Sequence, residues 1–232
     1  MPVNQDLIDL AEAGDGSRTD ELSGIEGVLG TAFEDILQGG SEDNIIYAGE
    51  GDDVVIGNAG VDELYGNAGT DVIYGGDGDD LIDARQANDT RILSGAYGQD
   101  RIWGSPGNDN IYGDEGNDFL SAGEDDDRLA GGIGNDVIHG GEGIDTVIFG
   151  TARSRVRYTV NLSNQNWQNT GEGSDKLTGI ENVITRQGND LIVGNESRNN
   201  IRSGSGNDVV LGLDGDDEIN AQRGDDFIIG GR

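Results

Sequence analysis

Gly66 to Asp83 reads GNAGTDVIY and then GGDGDDLID, one nine-residue unit written twice. Each copy has a glycine-rich turn in places one to four, an acid at the sixth place (Asp71, Asp80) and an aliphatic at the eighth (Ile73, Ile82). Glycines such as Gly69 and Gly78 tolerate the positive φ angles that a tight, carbonyl-exposing turn requires. Val72-Ile73-Tyr74 and Leu81-Ile82-Asp83 then read as three-residue strands, with the middle side chain on one face and the outer two on the other. A turn of oxygens joined to one inward aliphatic implies a metal site attached to a minimal core.

Outward from this stretch the period holds its phase over residues 21–83, 95–148 and 176–229, which is nineteen nonamers. The eighth place is aliphatic in all nineteen, from Val28 and Leu37 to Ile219 and Ile228. The sixth is Asp in fifteen, Asn in two (Asn44, Asn199) and Glu in two (Glu26, Glu181). A disordered Gly/Asp tract would not keep an aliphatic in phase over that distance, so the period decides the architecture.

GGDGDDLID (75–83), GGIGNDVIH (131–139) and GGEGIDTVI (140–148) match GGxGxDxUx at every defined place. The pattern resembles the RTX family, the hemolysin-type calcium-binding repeat. The resemblance implies an all-β fold, a parallel β-roll (β-solenoid) with two nonamers per coil, short cap segments and Ca2+ held between turns on each edge. It gives the ligand role to the sixth-place residues Asp35, Asp53, Asp62, Asp71, Asp80, Asp89, Asp100, Asp109, Asp118, Asp127, Asp136, Asp145, Asp190, Asp208, Asp217 and Asp226, and to Asn44 and Asn199. The turn carbonyls implied with them are those of Gly49, Gly51, Gly60, Gly69, Gly76, Gly78, Gly107, Gly116, Gly132, Gly134, Gly141, Gly143, Gly204, Gly206 and Gly215. The expected load is about ten to fourteen Ca2+ ions.

Composition argues in the same direction. Only 33% of the 232 residues are hydrophobic, 42 are Gly, and the net charge is −32. Low hydrophobicity with high net charge is the signature of a chain that cannot fold on its core alone. If nonamers i and i+2 stack, their sixth-place carboxylates lie about 4.8 Å apart. At that separation two charges repel by about 0.9 kcal/mol in water and about 3.5 kcal/mol at an effective dielectric of 20. A divalent cation that takes six to eight oxygens reverses the sign of this interaction. Ten Asp–Asp pairs satisfy the i/i+2 relation, counting Asp71–Asp89, and filling them would take −32 to −12. The same acidity argues against a nucleic-acid partner.

There is no cysteine, hence no disulfide framework and no thiolate metal site, although this does not fix the compartment. No hydrophobic leader opens the chain and no apolar run is long enough to insert in a membrane. The family resemblance implies secretion from a bacterium by a type I machine that reads a C-terminal signal. Because the sequence stops in mid-repeat at Ile229-Gly230-Gly231-Arg232, the expectation is a fragment of a larger parent protein.

Four segments follow from the register: a cap at 1–29, a first roll at 30–148, an internal cap at 149–184 and a second, truncated roll at 185–232. The lead-in Asp20 to Val28 has a second copy at Asp175 to Val183, and Ile8-Asp9-Leu10 corresponds to Val160-Asn161-Leu162. The second copy, continuing into QGNDLIVGN (187–195), resembles the lead-in to the β-roll of serralysin-type secreted proteases. Both rolls thus open with a Glu–Asn pair (Glu26–Asn44, Glu181–Asn199) in place of Asp–Asp. Either a side-chain hydrogen bond closes a weak site there, or the longer Glu reaches a displaced calcium.

ARQANDTRILS (84–94) breaks the pattern. The economical reading keeps Asp89 at the sixth place and adds a two-residue bulge that turns Arg91 out and Ile92 in. In the internal cap, Val156, Tyr158, Val160 and Leu162 alternate as a half-buried strand does. Arg153, Arg155 and Arg157 on its other face read as partners of the acidic flank, with a docking site as the alternative.

No HExxH, GxSxG elbow, phosphate-binding loop or EF-hand loop is present, and His139 falls on an outer strand position. The expectation is a non-enzymatic module. The alternative is a polysaccharide- or surface-binding module built on Tyr47, Tyr65 and Trp103, which the register places on one sheet. Ice binding is disfavoured, since third places such as Ala59, Asp77, Tyr97 and Pro106 hold no threonine rank.

Overall fold

A computed structural model describes residues 8–9, 19–21, 27–85, 91–150 and 156–232. Among them there is no helix; the chain winds into stacked parallel strands that form three walls. Each nonamer contributes one strand, so alternate nonamers fall on opposite walls and every second one pairs. The register shows it directly: Ile46 lies opposite Leu64 and Val55 opposite Ile73, eighteen residues on. This is the parallel β-roll of two nonamers per coil that the period predicts.

Seventeen of the nineteen eighth-place aliphatics are buried, from Val28 to Val210. The two that are not, Ile219 and Ile228, sit in the last coil described. The core is therefore a single file of aliphatics from each wall. Many strands run six residues rather than the predicted three, as in Ile45–Glu50 and Val72–Asp77. The extra three are turn residues of the next nonamer, which continue the pairing (Gly49 opposite Asn67, Glu50 opposite Ala68).

At 84–94 the spacing between stacked strands grows to twenty, Ile73 pairing Leu93 and Ile82 pairing Ile102, yet no rung is lost. The predicted side-chain exchange is reversed here. Leu93 is the inward residue, Ile92 is 41% exposed, and Arg91 is 0% exposed. Ile92 stands opposite both Val72 and Asn110, so Arg91 occupies the sixth place of this coil. The sixth place assigned to Asp89 is thus held by Arg91, which cannot ligate a cation, and Asp89 itself lies outside the described residues.

At 149–175 one wall continues and the other is exchanged. The second wall runs unbroken from Thr19–Glu21 to Glu218–Asn220, with Thr146–Ile148 pairing Asn182–Ile184 across the insert. The first wall ends where Ser174–Thr178 lies on Val137–Glu142 and pairs antiparallel with Gln168–Asn169. A third wall begins with Thr159–Asn161 and continues through Leu191–Val193, Val209–Leu211 and Phe227–Ile229. Tyr158, Val160 and Leu162 are buried as their alternation predicts, Phe149 packs 5.9 Å from the Tyr158 ring, and Arg157 is exposed. Arg153 and Arg155 lie outside the described residues.

The two lead-in copies, alike in sequence, pair differently. Ile8 lies opposite Val28, whereas Val160 lies opposite Ile192. The second copy has a finished stack to land on, and Leu177 takes the place above Ile138.

The single-file core makes a sharp stability prediction. Leu120→Ala, at a fully buried site, should cost about 2–5 kcal/mol in urea unfolding of the calcium-saturated chain. Ile219→Ala, in the open last coil, should cost much less; equal losses would contradict the packing described.

Candidate metal sites

The sixth-place residues form three columns along the roll edges, each built by one repeated hydrogen bond. The backbone N–H of one coil donates to Oδ1 of the sixth-place carboxylate in the next. On the first edge Asn44 donates to Asp62 (2.8 Å), Asp62 to Asp80 (2.9 Å), Asp80 to Asp100 (2.8 Å), Asp100 to Asp118 (2.9 Å) and Asp118 to Asp136 (2.9 Å). On the second, Asp35 donates to Asp53, Asp53 to Asp71, Arg91 to Asp109, Asp109 to Asp127 and Asp127 to Asp145. Asn199 donates to Asp217 farther along it. The third column runs from Tyr158 through Asp190 and Asp208 to Asp226. The Asp80–Asp100 step across the bulge is therefore an ordinary rung.

This bond uses only one carboxylate oxygen. Oδ2 of Asp53, Asp62, Asp80, Asp100, Asp118, Asp127, Asp136, Asp145, Asp190, Asp208 and Asp217 is buried with no hydrogen-bond donor. An ionised oxygen left so is costly unless a cation meets it. Oδ2 folds back over its own turn, which explains the first-place glycine. A Cβ on Gly75 would stand 2.3 Å from Oδ2 of Asp80, so the requirement there is space rather than φ. The fourth place needs glycine twice over: Gly78 has φ +143°, and its Cβ would meet the Gly60 carbonyl oxygen at 1.6 Å.

Among the described residues no three His, Cys, Asp or Glu side chains converge as a metal cluster. A cation in these columns must therefore complete its shell with main-chain carbonyls and water, the habit of calcium rather than zinc. The donor set fits calcium: buried carboxylate oxygens without donors, beside turn carbonyls facing a space only glycine leaves open. When bound, the ion supplies positive charge between stacked carboxylates.

Burial pushes nine of these eleven acids up, and neighbouring carboxylates push several further. Asp127 and Asp136 rise to about 8, Asp53 and Asp100 to about 7, and Asp80, Asp118 and Asp145 to about 6, from 3.8. Asp62 and Asp190 are raised as well.

Not every predicted ligand is left open. Oδ2 of Asp35 accepts from the Thr31 amide (2.7 Å) and hydroxyl (2.9 Å), and Oδ2 of Asp109 from the Ser105 amide (2.9 Å) and hydroxyl (3.3 Å). Both donors are second-place Ser/Thr residues. Asn44 and Asn199 accept from the second-place amides of Gly40 and Asn195. The Asn199 amide also donates to the Glu181 carbonyl (2.8 Å), so a side-chain hydrogen bond does close that rung. It reaches the main chain, however, not the Glu181 carboxylate. That carboxylate accepts from Asp145 N–H (2.9 Å) and so continues the column of the coils before the insert. Glu26 lies outside the described residues.

Two sets of residues escaped the sequence reading. Asp175 lies on Asp136, accepting its N–H at 3.0 Å, and is raised by burial. It falls before the register resumes, which hid it. Fifth-place Asp and Asn residues form a second, exposed ladder of opposite sense. Asp52 accepts from Thr70 N–H, Asp43 from Val61, Asn117 from Asn135 and Asn189 from Asn207. The fifth place is Asp or Asn in eleven of nineteen nonamers, a signal present in the sequence.

Tyr47, Tyr65 and Trp103 do share the first wall. The tyrosine rings stack on one another (4.5 Å, 8°), the Arg85 guanidinium lies 5.2 Å from the Trp103 centroid, and Trp103 contacts Phe119. His139 is a half-buried wall residue beside Phe119 and Thr178.

A roll whose edges carry regular columns of buried, donor-less carboxylate oxygens is a calcium-binding β-solenoid. The family model of the RTX calcium-binding nonapeptide repeat (4 copies) matches residues 29–64, 56–90, 92–120, 112–147, 177–210, 184–219 and 203–232. The chain belongs to that family and binds calcium through its β-roll. Comparison with curated proteins returns no match.

The raised acids set a pH dependence. Their folded-state values lie above the unfolded ones, so the metal-free roll is favoured at low pH and loses stability as pH rises through about 6 to 8. In chelator, far-UV circular dichroism should therefore show β-structure near pH 4 that fades across this window. With calcium the trend reverses, because protons compete for the same oxygens. A metal-free β signal that grows with pH would contradict the assignment.

Proposed function

We propose that the chain is the non-catalytic, calcium-loaded module of an exported bacterial protein. It is unstructured in the low-calcium cytoplasm and folds in millimolar extracellular calcium, where metal binding supplies folding free energy by mass action. One observation carries this reading. Eleven sixth-place carboxylates bury an oxygen that nothing in the protein satisfies. A fold that depends on its own side chains does not accumulate such atoms. Their number supports a load of about ten to fourteen ions.

Export by a type I machine suits such a chain, which passes through unfolded and locks on arrival. The strong net negative charge keeps nucleic acid away. No helix among the described residues is long and apolar enough to cross a membrane. The elements of the walls serve to present turns.

Calcium titration followed by circular dichroism at neutral pH tests the proposal. Excess EGTA should give a coil spectrum and calcium a cooperative rise in β-structure. Magnesium should substitute poorly, since it demands a tighter octahedral shell. A compact, β-rich species in EGTA at neutral pH would remove the reading.

A further inference from the structure

Arg91 is the largest fully buried side chain among the described residues, and it sits in a column of acids. Its backbone holds the ordinary rung, its N–H donating to Asp109 Oδ1 at 2.8 Å. Its side chain turns toward the preceding coil and enters the turn that ends in Asp71. There Nη2 lies 3.3 Å from Oδ2 of Asp71, 2.8 Å from the Asn67 carbonyl and 2.9 Å from the Gly69 carbonyl. Nε donates to the same Gly69 carbonyl at 3.2 Å, and Nη1 to the Ala84 carbonyl.

These partners are the second-place carbonyl, the fourth-place carbonyl and the sixth-place Oδ2 of one nonamer. In regular nonamers the second- and fourth-place carbonyls face the next coil, as Asn58 O faces Gly76 and Gly60 O faces Gly78, while Oδ2 lies over its own turn, as that of Asp80 lies over Gly75. A guanidinium is permanently charged and presents five donors in a plane, so it can satisfy carbonyls and a carboxylate together. The segment leading to Arg91, residues 84–90, contains no glycine, the residue that opens this space in the regular turns.

We propose that the Arg91 guanidinium is a tethered cation seated where the regular rungs take calcium, so that the Asp71 turn binds no ion and closes without one. The inference rests on the calcium reading and adds to it that the second edge is loaded in two blocks, one on each side of this rung. Neutralisation here comes from the chain itself, so the rung is indifferent to calcium concentration. Removing the guanidinium would take its positive charge away from the Asp71 carboxylate and from the Asn67 and Gly69 carbonyls.

Native mass spectrometry of the calcium-saturated chain and of Arg91→Ala tests this. The variant should hold one ion more than the parent and should need more calcium for half-maximal folding. An unchanged or lower count, with the parent itself loaded, would overturn the proposal; a parent that holds no calcium would instead overturn the family-based reading. If Arg91→Ala does not fold, anomalous scattering from crystals of the unaltered chain decides. Calcium should appear in regular turns such as that of Asp127, and not between Gly69 O and Asp71 Oδ2. An ion bridging those two atoms would overturn the proposal.

Discussion

Carboxylates stacked one coil apart are the constraint on which the rest of this molecule depends. Most take one oxygen into a backbone hydrogen bond along the column and leave the other over their own turn without a donor, Asp35 and Asp109 being the exceptions. The first contact sets the spacing of the coils. The second leaves a buried negative oxygen that only a cation can satisfy. Burial raises several of them toward neutrality, Asp127 and Asp136 furthest, because the protein alone solvates their ionised form poorly.

The core is subordinate to that arrangement. One aliphatic per nonamer seals each wall, and the walls are too narrow to bury more. This explains why the roll tolerates two extra residues at 84–94 and a whole inserted segment at 149–175. At 84–94 the strand pairing continues without a lost rung, and at 149–175 one wall continues while the other is exchanged. Where the regular residue is missing, a substitute stands on the same rung: Arg91 among acids, Asp175 above Asp136, Glu181 above Asp145. Asn199 closes its rung with an amide.

Most of this was legible because a strict period converts position into place. Ile46, Leu120 and Val210 are inward for the reason that they are eighth, and Asp53 and Asp118 are edge ligands for the reason that they are sixth. The period could not tell which oxygen of Asp109 was already held by Ser105, because that depends on the second-place side chain of its own turn. It also misplaced Arg91. A buried arginine reads as an error on hydrophobicity alone, and only the oxygens around it make it sensible. The exchange of one wall at the insert was equally hidden, since alternation in Val156 to Leu162 shows a strand but not its neighbour. The fifth-place ladder was visible as composition, although its meaning came from the opposite sense of its hydrogen bonds.

The central claim is that an ion shared between neighbouring coils holds the columns together. Anomalous diffraction from crystals grown with calcium tests it most directly. The account predicts a strong peak between Asp118 and Asp136, on the first edge, bounded by carboxylate and turn-carbonyl oxygens. A well-ordered roll with only water at that position would contradict it.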